Sequence, residues 1–382
     1  MKPEVVRDLH QRTLAAVRGE RPEPENGGGT VAVEPYLSPD RLAQEARLFK
    51  RFPQPVAASS ELPAPGAWRA LDRAGTPLLL VRQADGAVHA FLNVCRHRGA
   101  RVVPVGSGEQ AKAFVCPYHA WTYQADGALR GVPEAFGFPC LNKSDSGLRR
   151  LAASERAGLI WVIADPDLAD TDVDACLGPL MDELETLDLR APAAFAPRSY
   201  EVKANWKLLV DGFFEAYHFK IAHRQTIAHM FAANTQIVDE FGLHRRLYLV
   251  KSNFERDNPP AVESFEPRKH GNLLYFFFPS TTILVQPDHA QMSTVELQAP
   301  GVTKIHEITL LPAAPDSPKA LGYWNANVDL YRRTLTEDYE LSESIQTGLP
   351  SGANAALTFG TFEFSAPRFH AQLSEQLAAL EG

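Results

Sequence analysis

The sequence predicts an α+β protein in which an all-β domain precedes a domain built on a large antiparallel sheet flanked by helices. Three observations carry that expectation. From Trp68 to Asp165, short β-branched and aromatic runs alternate with Asp-Gly turns. Residues 235–311 repeat short apolar runs in the same manner. Tyr323–Thr347 then runs without proline or glycine, its apolar side chains at helical spacing. At 382 residues the chain is long enough for two cores. The changes of texture divide it into an N-terminal helical segment at 1–45, packing on the second domain, a β-rich domain at 46–165, and a mixed domain at 166–382.

Taken in order, residues 4–18 suit a short helix, and the Pro/Gly-rich stretch Arg21–Gly29 breaks it. Ser38-Pro39-Asp40 supplies an N-cap, a first-turn proline and an acid favoured by the helix dipole, so a helix is expected through Lys50. Leu78–Arg82 and Val88–Val94 flank Ala84-Asp85-Gly86, the signature of a hairpin. Trp121–Tyr123 and Ala128–Gly131 flank a second Ala-Asp-Gly at 125–127, and Gly158–Ala164 closes the region as an apolar strand. Beyond Pro166, Cys176–Leu187 suits a helix, Tyr200 begins a strand, and Leu208–Ala222 has helical character. A last helix is expected over Ala366–Leu380.

Composition excludes several classes. A net charge of −8 argues against a nucleic-acid partner, which needs a basic stripe. The long uncharged stretch Gly271–Pro287 contains two prolines and many β-branched and aromatic residues, so buried strands are expected there and no membrane span. Four cysteines make no disulfide framework, and Met1–Glu20 lacks the apolar run of a signal peptide. The expected location is the reducing cytoplasm.

Two couplets, Cys95-Arg-His97 and Cys116-Pro-Tyr-His119, carry the first chemistry. Two thiolates and two imidazoles in this order describe a [2Fe–2S] centre in which histidines replace cysteines on one iron, which raises the reduction potential. Gly99, Pro117 and Tyr118 lie in the loops, where tight turns would aim the ligands inward. The competing assignment is a Cys₂His₂ zinc site, but zinc fingers pair cysteines in one couplet and histidines in the other.

The second constellation is Glu215-Ala-Tyr-His218 followed by His223. Two histidines and a carboxylate suit a mononuclear Fe(II) with open positions for oxygen. Glu215 and His218 would share a helix face, whereas His223 lies about 140° further round an ideal helix, so the helix must bend or end near 219–222. The third ligand is sought on the helix at 323–347. Trp324, Val328, Tyr331, Leu335, Asp338, Ser342 and Ile345 recur at alternating spacings of four and three, an inward stripe. Asp338 occupies a place where an apolar residue belongs, and a buried carboxylate needs a partner such as a metal. Glu337, Glu340 and Glu343 point elsewhere and are expected in solvent, with Glu337 the fallback ligand. Glu215 then remains to accept a hydrogen bond from a histidine.

Together these residues resemble the α subunits of Rieske non-heme iron oxygenases, the ring-hydroxylating dioxygenase and oxidative demethylase family. The resemblance rests on Asn93-Val-Cys95-Arg-His97-Arg-Gly99, Cys116-Pro-Tyr-His119-Ala-Trp121, Asn205-Trp206-Lys207, Glu215-Ala-Tyr-His218 and the Glu337-Asp338 helix ending in Gln346-Thr-Gly348. One departure is Asp211-Gly212, where many members carry Asp-Asn. The resemblance implies an N-terminal Rieske domain and a helix-grip-like catalytic domain, assembled as a head-to-tail homotrimer. It implies that Cys95, His97, Cys116 and His119 hold the cluster and that His218, His223 and Asp338 hold the iron. It also implies that Glu215 connects an iron-ligand histidine, His218, with a cluster histidine, His119, across subunits.

The expected activity is that of a terminal oxygenase: the cluster feeds electrons to Fe(II), and O₂ is activated beside a small organic, aromatic substrate. The phenylalanines at 213, 214, 231 and 276–278 suit either such a substrate or an ordinary core. Oxidative demethylation of a quaternary ammonium compound is the alternative, for which Tyr217, Tyr275 and Trp324 are candidate cage residues. No dinucleotide fingerprint is present, so electrons are expected from a separate NAD(P)H-dependent reductase, with or without a ferredoxin. A Rieske electron carrier or sensor without mononuclear iron is the reading from another class.

Overall fold

In the computed structural model the chain is described over residues 1–20, 28–73, 75–187, 193–254 and 258–380. The loop expected over Arg21–Gly29 lies almost wholly outside them. The chain forms two units, one from Phe49–Met181 and the other from Met1–Leu48 with the described residues from Asp182 onward.

The first unit is β-rich. Its central strand, Thr76–Arg82, pairs with Trp68–Arg73 on one side and Val88–Leu92 on the other, within a five-stranded sheet. Successive side chains of a strand point to opposite faces, and this strand is apolar on both. Leu78 and Leu80 enter one buried cluster with Ile160 and Val162. Leu79 and Val81 enter another with Phe91, Phe114 and Tyr123. Each such side chain contributes roughly 1.5–3 kcal/mol by leaving water. Cys95 and Cys116 belong to that second cluster, so the core itself seats the roots of the two loops. Both expected hairpins form, and by one device. The Asp85 and Asp126 carboxylates accept from the amides of Ala87 and Ala128 (3.0 and 2.9 Å), and Gly86 and Gly127 take the left-handed conformation.

The second unit is built on seven antiparallel strands: β1 (Ala193–Val202), β2 (Phe231–Phe241), β3 (His244–Lys251), β4 (Gly271–Phe277), β5 (Thr281–Val285), β6 (Ala290–Ala299) and β7 (Val302–Leu311), in the spatial order β1-β7-β6-β5-β4-β3-β2. The α+β fold and large antiparallel sheet are as expected. The strand predicted from Tyr200 starts earlier, at Ala193. Pro197 obscures it in the sequence, and the structure accommodates that proline because β1 is an edge strand whose register shifts between Phe195 and Arg198. The helix expected over Cys176–Leu187 spans Val173–Glu185 and is interrupted at Gly178-Pro179.

Four helices of this unit position the site. They are α1 (Pro39–Lys50), α2 (Trp206–Phe213), α3 (Phe219–Ala222) and α4 (Pro318–Gly348). Ser317 caps α4 by accepting from the Ala320 amide at 3.2 Å. Of its predicted inward stripe, Val328, Leu335 and Ser342 are buried, but Ile345 is 45% exposed, so the stripe ends a turn early.

The Asn205-Trp206-Lys207 motif fastens α1 to α2. The Asn205 side chain accepts from the Lys207 amide and donates to the Tyr36 carbonyl (3.0 and 2.9 Å). The Trp206 indole donates to Glu45 at 2.7 Å. The Lys207 ammonium donates to both Glu45 oxygens at 2.8 and 2.9 Å, in a pair fully removed from solvent. Burial lowers the Lys207 pKa, and the Glu45 charge opposes that shift.

Candidate active site

The cluster loops are built alike. In each, the cysteine amide donates to the carbonyl five residues on, and the amide four residues on donates back to the cysteine carbonyl. The distances are 2.8 and 2.9 Å for Cys95 with Ala100 and Gly99, and 2.9 and 2.9 Å for Cys116 with Trp121 and Ala120. Residue four is left-handed in both, Gly99 with φ +75° and Ala120 with φ +57°. Glycine adopts this freely, whereas alanine pays about 1 kcal/mol. Both cysteines are buried, and His97 lies flat on Trp121 with ring centres 4.9 Å apart. The His97 Nδ1 is buried without a hydrogen-bond partner, the condition of an atom kept for a metal. His119 is exposed, its ring 4.7 Å from that of His97.

A residue absent from the sequence reading completes this loop pair. The Tyr123 hydroxyl accepts from the Arg96 amide at 2.9 Å and faces the Cys95 sulfur at 3.3 Å, where it would donate to a cluster-bound thiolate. Nothing in the local pattern marks Tyr123, because its role depends on two loops meeting over one strand.

In the second unit the helix expected over Leu208–Ala222 is instead two helices with a break at 214–218. The Glu215 carboxylate takes the His218 amide (3.0 Å), an alternative to helix continuation. His218 and His223 therefore flank the single turn α3 as its N-cap and C-cap. That bracket resolves the 140° conflict: the two Nε2 atoms lie 3.1 Å apart. Asp338 Oδ1 from α4 lies 3.4 Å from His218 Nε2 and 3.0 Å from His223 Nε2. Separations near 3 Å match the edges of a coordination shell with bonds of about 2.1 Å.

The opposite nitrogens are both occupied. His218 Nδ1 donates to Glu215, and His223 Nδ1 donates to Glu337 at 2.8 Å. Such partners fix the tautomer and leave each Nε2 lone pair directed at the shared point. The donor set thus fits a divalent first-row ion. Glu337 was expected in solvent or as fallback ligand. It lies on the far side of the His223 ring and also accepts from the Thr226 hydroxyl at 2.6 Å. The sequence signal was available: consecutive acids sit 100° apart on a helix and can straddle one imidazole. Glu343 is likewise engaged, accepting from the Lys203 amide at 2.8 Å.

Burial would lower the His218 pKa, but hydrogen bonds and charge from Asp338 and Glu215 raise it to about 10. His223 is raised in the same way by Asp338 and Glu337. Burial opposes ionisation of Asp338, yet the two imidazoles hold its pKa below the usual carboxylate range.

These three side chains stand in the wall of a cavity of about 370 Å³. Alternate residues of the sheet make its floor, with Leu249, Leu274 and Leu284 on three neighbouring strands, and α4 covers it with Leu330, Tyr331 and Leu335. Phe213, Phe219 and Phe231 line the cavity, and the Phe219 ring lies 5.4 Å from those of His223 and Phe231. The other phenylalanines of the sequence reading, at 214 and 276–278, are core residues. None of the three candidate cage residues lines the cavity. Tyr217 is exposed and stacks on Phe362, Tyr275 is buried with its hydroxyl on Glu183, and Trp324 packs edge-on to His289.

A fold with one sulfur-and-imidazole loop pair and one two-histidine, one-carboxylate centre defines a Rieske-type oxygenase α subunit. The comparisons agree. Residues 52–142 match the Rieske [2Fe-2S] domain family, and residues 189–379 match the catalytic domain of ring hydroxylating α subunits. The chain belongs to this family. It is a Rieske oxygenase catalytic subunit, an oxidoreductase with a [2Fe–2S] cluster and a mononuclear iron as cofactors. It is 29% identical over 311 residues to the carnitine monooxygenase oxygenase subunit of Acinetobacter baumannii, covering 78% of each chain. It is 35% identical over 178 residues to the chlorobenzene dioxygenase subunit alpha of a Cupriavidus species, covering 45% of this chain and 39% of that one. The crystal structure of a quaternary ammonium Rieske monooxygenase superposes with a TM-score of 0.78 at 23% identity, covering 91% of this chain and 95% of that one. Among the described residues, no helix is long and apolar enough to cross a membrane.

Proposed function

We propose that the chain is the terminal oxygenase component that oxygenates a C–H position of a small organic substrate bound in the cavity beside His218, His223 and Asp338. The observation that carries this reading is the convergence of those three side chains on an apolar cavity, in a chain that also bears the Cys95, His97, Cys116 and His119 loops. When bound, the cluster and the ferrous ion supply the electrons and the site for O₂ reduction. The chain's own residues do the rest. Glu215 and Glu337 hold the two histidine rings so that only Nε2 is presented. Phe213, Phe219 and Phe231 exclude water next to them.

The alternative of the sequence analysis, a methylated ammonium compound, now comes before the aromatic substrate expected there. It is supported by the carnitine monooxygenase subunit, matched over most of both chains, and by aromatic rings that suit cation–π contact. The second reading is an aromatic ring, favoured by the same rings and by the shorter match to a chlorobenzene dioxygenase subunit.

Electrons come from a separate NAD(P)H-dependent reductase, and the working assembly is a head-to-tail homotrimer. Exposed apolar side chains support that assembly: Tyr118 and Phe136 in the first unit, and Ile221 with the stacked pair Tyr217 and Phe362 in the second. Iron analysis and O₂ uptake test the proposal. Three irons per chain and substrate-dependent O₂ consumption by reduced protein are expected, with methylated amines and aromatic acids as the screening set. Asp338→Ala is expected to keep the cluster absorption while losing one iron and all turnover. Two irons in the unaltered chain would instead identify an electron carrier.

A further inference from the structure

A second, smaller pocket of about 190 Å³ adjoins the cavity at the candidate metal centre. Gly212, Phe213, Glu215, His218 and Asp338 line both spaces, so the end of α2 and two of the ligand side chains form the partition between them. Chain periodicity builds the rest of its wall. Leu208 precedes Gly212 by one turn of α2, and Leu341 and Ile345 follow Asp338 along α4 at spacings of three and four. Leu357 and Phe359 are alternate residues of the strand Ala356–Phe359 and share a face. All five line the pocket, and Leu341 and Ile345, 48% and 45% exposed, mark where it opens outward. Its carboxylates are engaged elsewhere. Asp211 accepts from the Tyr36 hydroxyl (2.7 Å) and meets His370 (2.9 Å), Glu363 accepts from the Gly360 amide (2.7 Å), and Glu215 and Asp338 face histidines. Among the described residues no lysine or arginine lines it. The pocket therefore offers shape and apolar surface to a ligand, with no charge left over to hold an ion.

The partition is thinnest at Gly212. It is the one residue of the shared five without a side chain, and a Cβ placed there would meet nothing within 4 Å beyond its own helix and chain neighbours. The position is helical, so the backbone does not demand glycine, and alanine would be favoured there by up to about 1 kcal/mol. A glycine required neither by conformation nor by packing leaves an opening beside His218 and Asp338. The asparagine common in the family at this place would stand in that opening. A substrate in the larger cavity covers the metal centre from its own side, so a second reactant needs another approach. Dioxygen is small, uncharged and apolar, and a narrow apolar space that holds water poorly still admits such molecules.

We propose that the smaller pocket is the dioxygen site and route: O₂ enters past Leu341 and Ile345 and passes Gly212 to the point on which His218, His223 and Asp338 converge, while the organic substrate fills the larger cavity. The assignment rests on the oxygenase reading given above, and it makes Gly212 the residue that sets how readily O₂ arrives.

Xenon, apolar and monatomic, is the structural probe. Crystals of the iron-loaded protein pressurised with xenon are expected to show it among Leu208, Leu341 and Phe359, and Gly212→Leu crystals to lose the part of that density nearest residue 212. The kinetic readout is single-turnover reoxidation of the reduced, substrate-bound protein at varied O₂. Gly212→Leu is expected to lower the second-order rate constant for O₂ by about fivefold or more, with Gly212→Ala intermediate and substrate Kd unchanged. Proportionately higher O₂ is expected to restore the rate, which a merely disturbed fold would not allow. Leu341→Trp, at the outer mouth and away from the ligands, is expected to act in the same direction, and it carries the test if Gly212→Leu fails to load iron. Xenon confined to the larger cavity, or an O₂ rate constant indifferent to these variants, would overturn the route. Weaker binding of longer substrates to Gly212→Leu at an unchanged O₂ rate constant would overturn it too, by giving the pocket to a substrate arm. Each of these results leaves the oxygenase reading standing, whereas absence of a third iron would remove that reading wherever xenon binds.

Discussion

At the residue scale, the site is organised by what the neighbour of each candidate ligand atom does. Asp338 and Glu337 are adjacent in sequence but address opposite nitrogens of His223. In the metal-free protein the carboxylates around His218 favour its protonated form, with a pKa raised from 6.5 to about 10. That raised value stabilises the metal-free fold fully below about pH 6.5, and the contribution is lost as pH rises through about 10. A ferrous ion held by His218, as proposed, would need the neutral ring, so its binding would release this proton. Fe(II) affinity is therefore expected to rise about tenfold per pH unit from 6.5 toward 9 in anaerobic titrations. A flat profile would show that His218 is not the group displaced. In the cluster loops, Tyr123→Phe removes the hydroxyl facing Cys95. Hydrogen bonds to sulfur raise cluster potentials, so a lower reduction potential by protein-film voltammetry is expected, with the cluster content intact.

At the element scale, the break at 214–218 is the decisive local structure. A continuous helix would set His218 and His223 on different faces, whereas the turn α3 brings their Nε2 atoms to 3.1 Å. α2 in turn is held by the buried Glu45–Lys207 pair to α1. Breaking a fully buried pair on one side costs about 3–5 kcal/mol when the remaining charge is unpaired, and less here because Glu45 keeps Arg41 as a partner at 3.2 Å. Lys207→Met is expected to lose stability below that bound in denaturant titration. The double change Glu45→Leu with Lys207→Met is expected to recover part of it, since neither charge is then buried. Equal losses in the single and double variants would place the effect in packing.

At the scale of the whole molecule, two metal centres in one chain become an oxygenase only if electrons pass between them. In the proposed trimer that passage joins the cluster of one subunit to the iron of the next. Glu215 stands at the second centre with one oxygen on the His218 ring and the other on its amide. Glu215→Gln keeps the shape and removes the charge. Both centres are expected to load normally, while reoxidation of the cluster with substrate and O₂ slows by at least tenfold in single-turnover absorption traces. Unaltered rates would remove Glu215 from the connection.

Much of this was legible in the linear chain, because the signals are short in range. The Asp-Gly hairpins, the Ser38 helix start, and the Cys-x-His and Cys-x-x-His spacings depend only on neighbours a few residues apart. The position of Asp338 within an apolar stripe is also a local pattern, and it pointed to the acid that meets the two histidines. What the chain could not disclose by itself depends on segments far apart in sequence. Tyr123 reaches Cys95 across two loops, Glu337 reaches a histidine 114 positions away, and the cavity draws its lining from β3, β4, β5 and α4. Spacing determines which side chains share a face. Only the packed sheet and helices decide which of those faces meet, and therefore which lone pairs and hydrogens are left for a metal or a substrate.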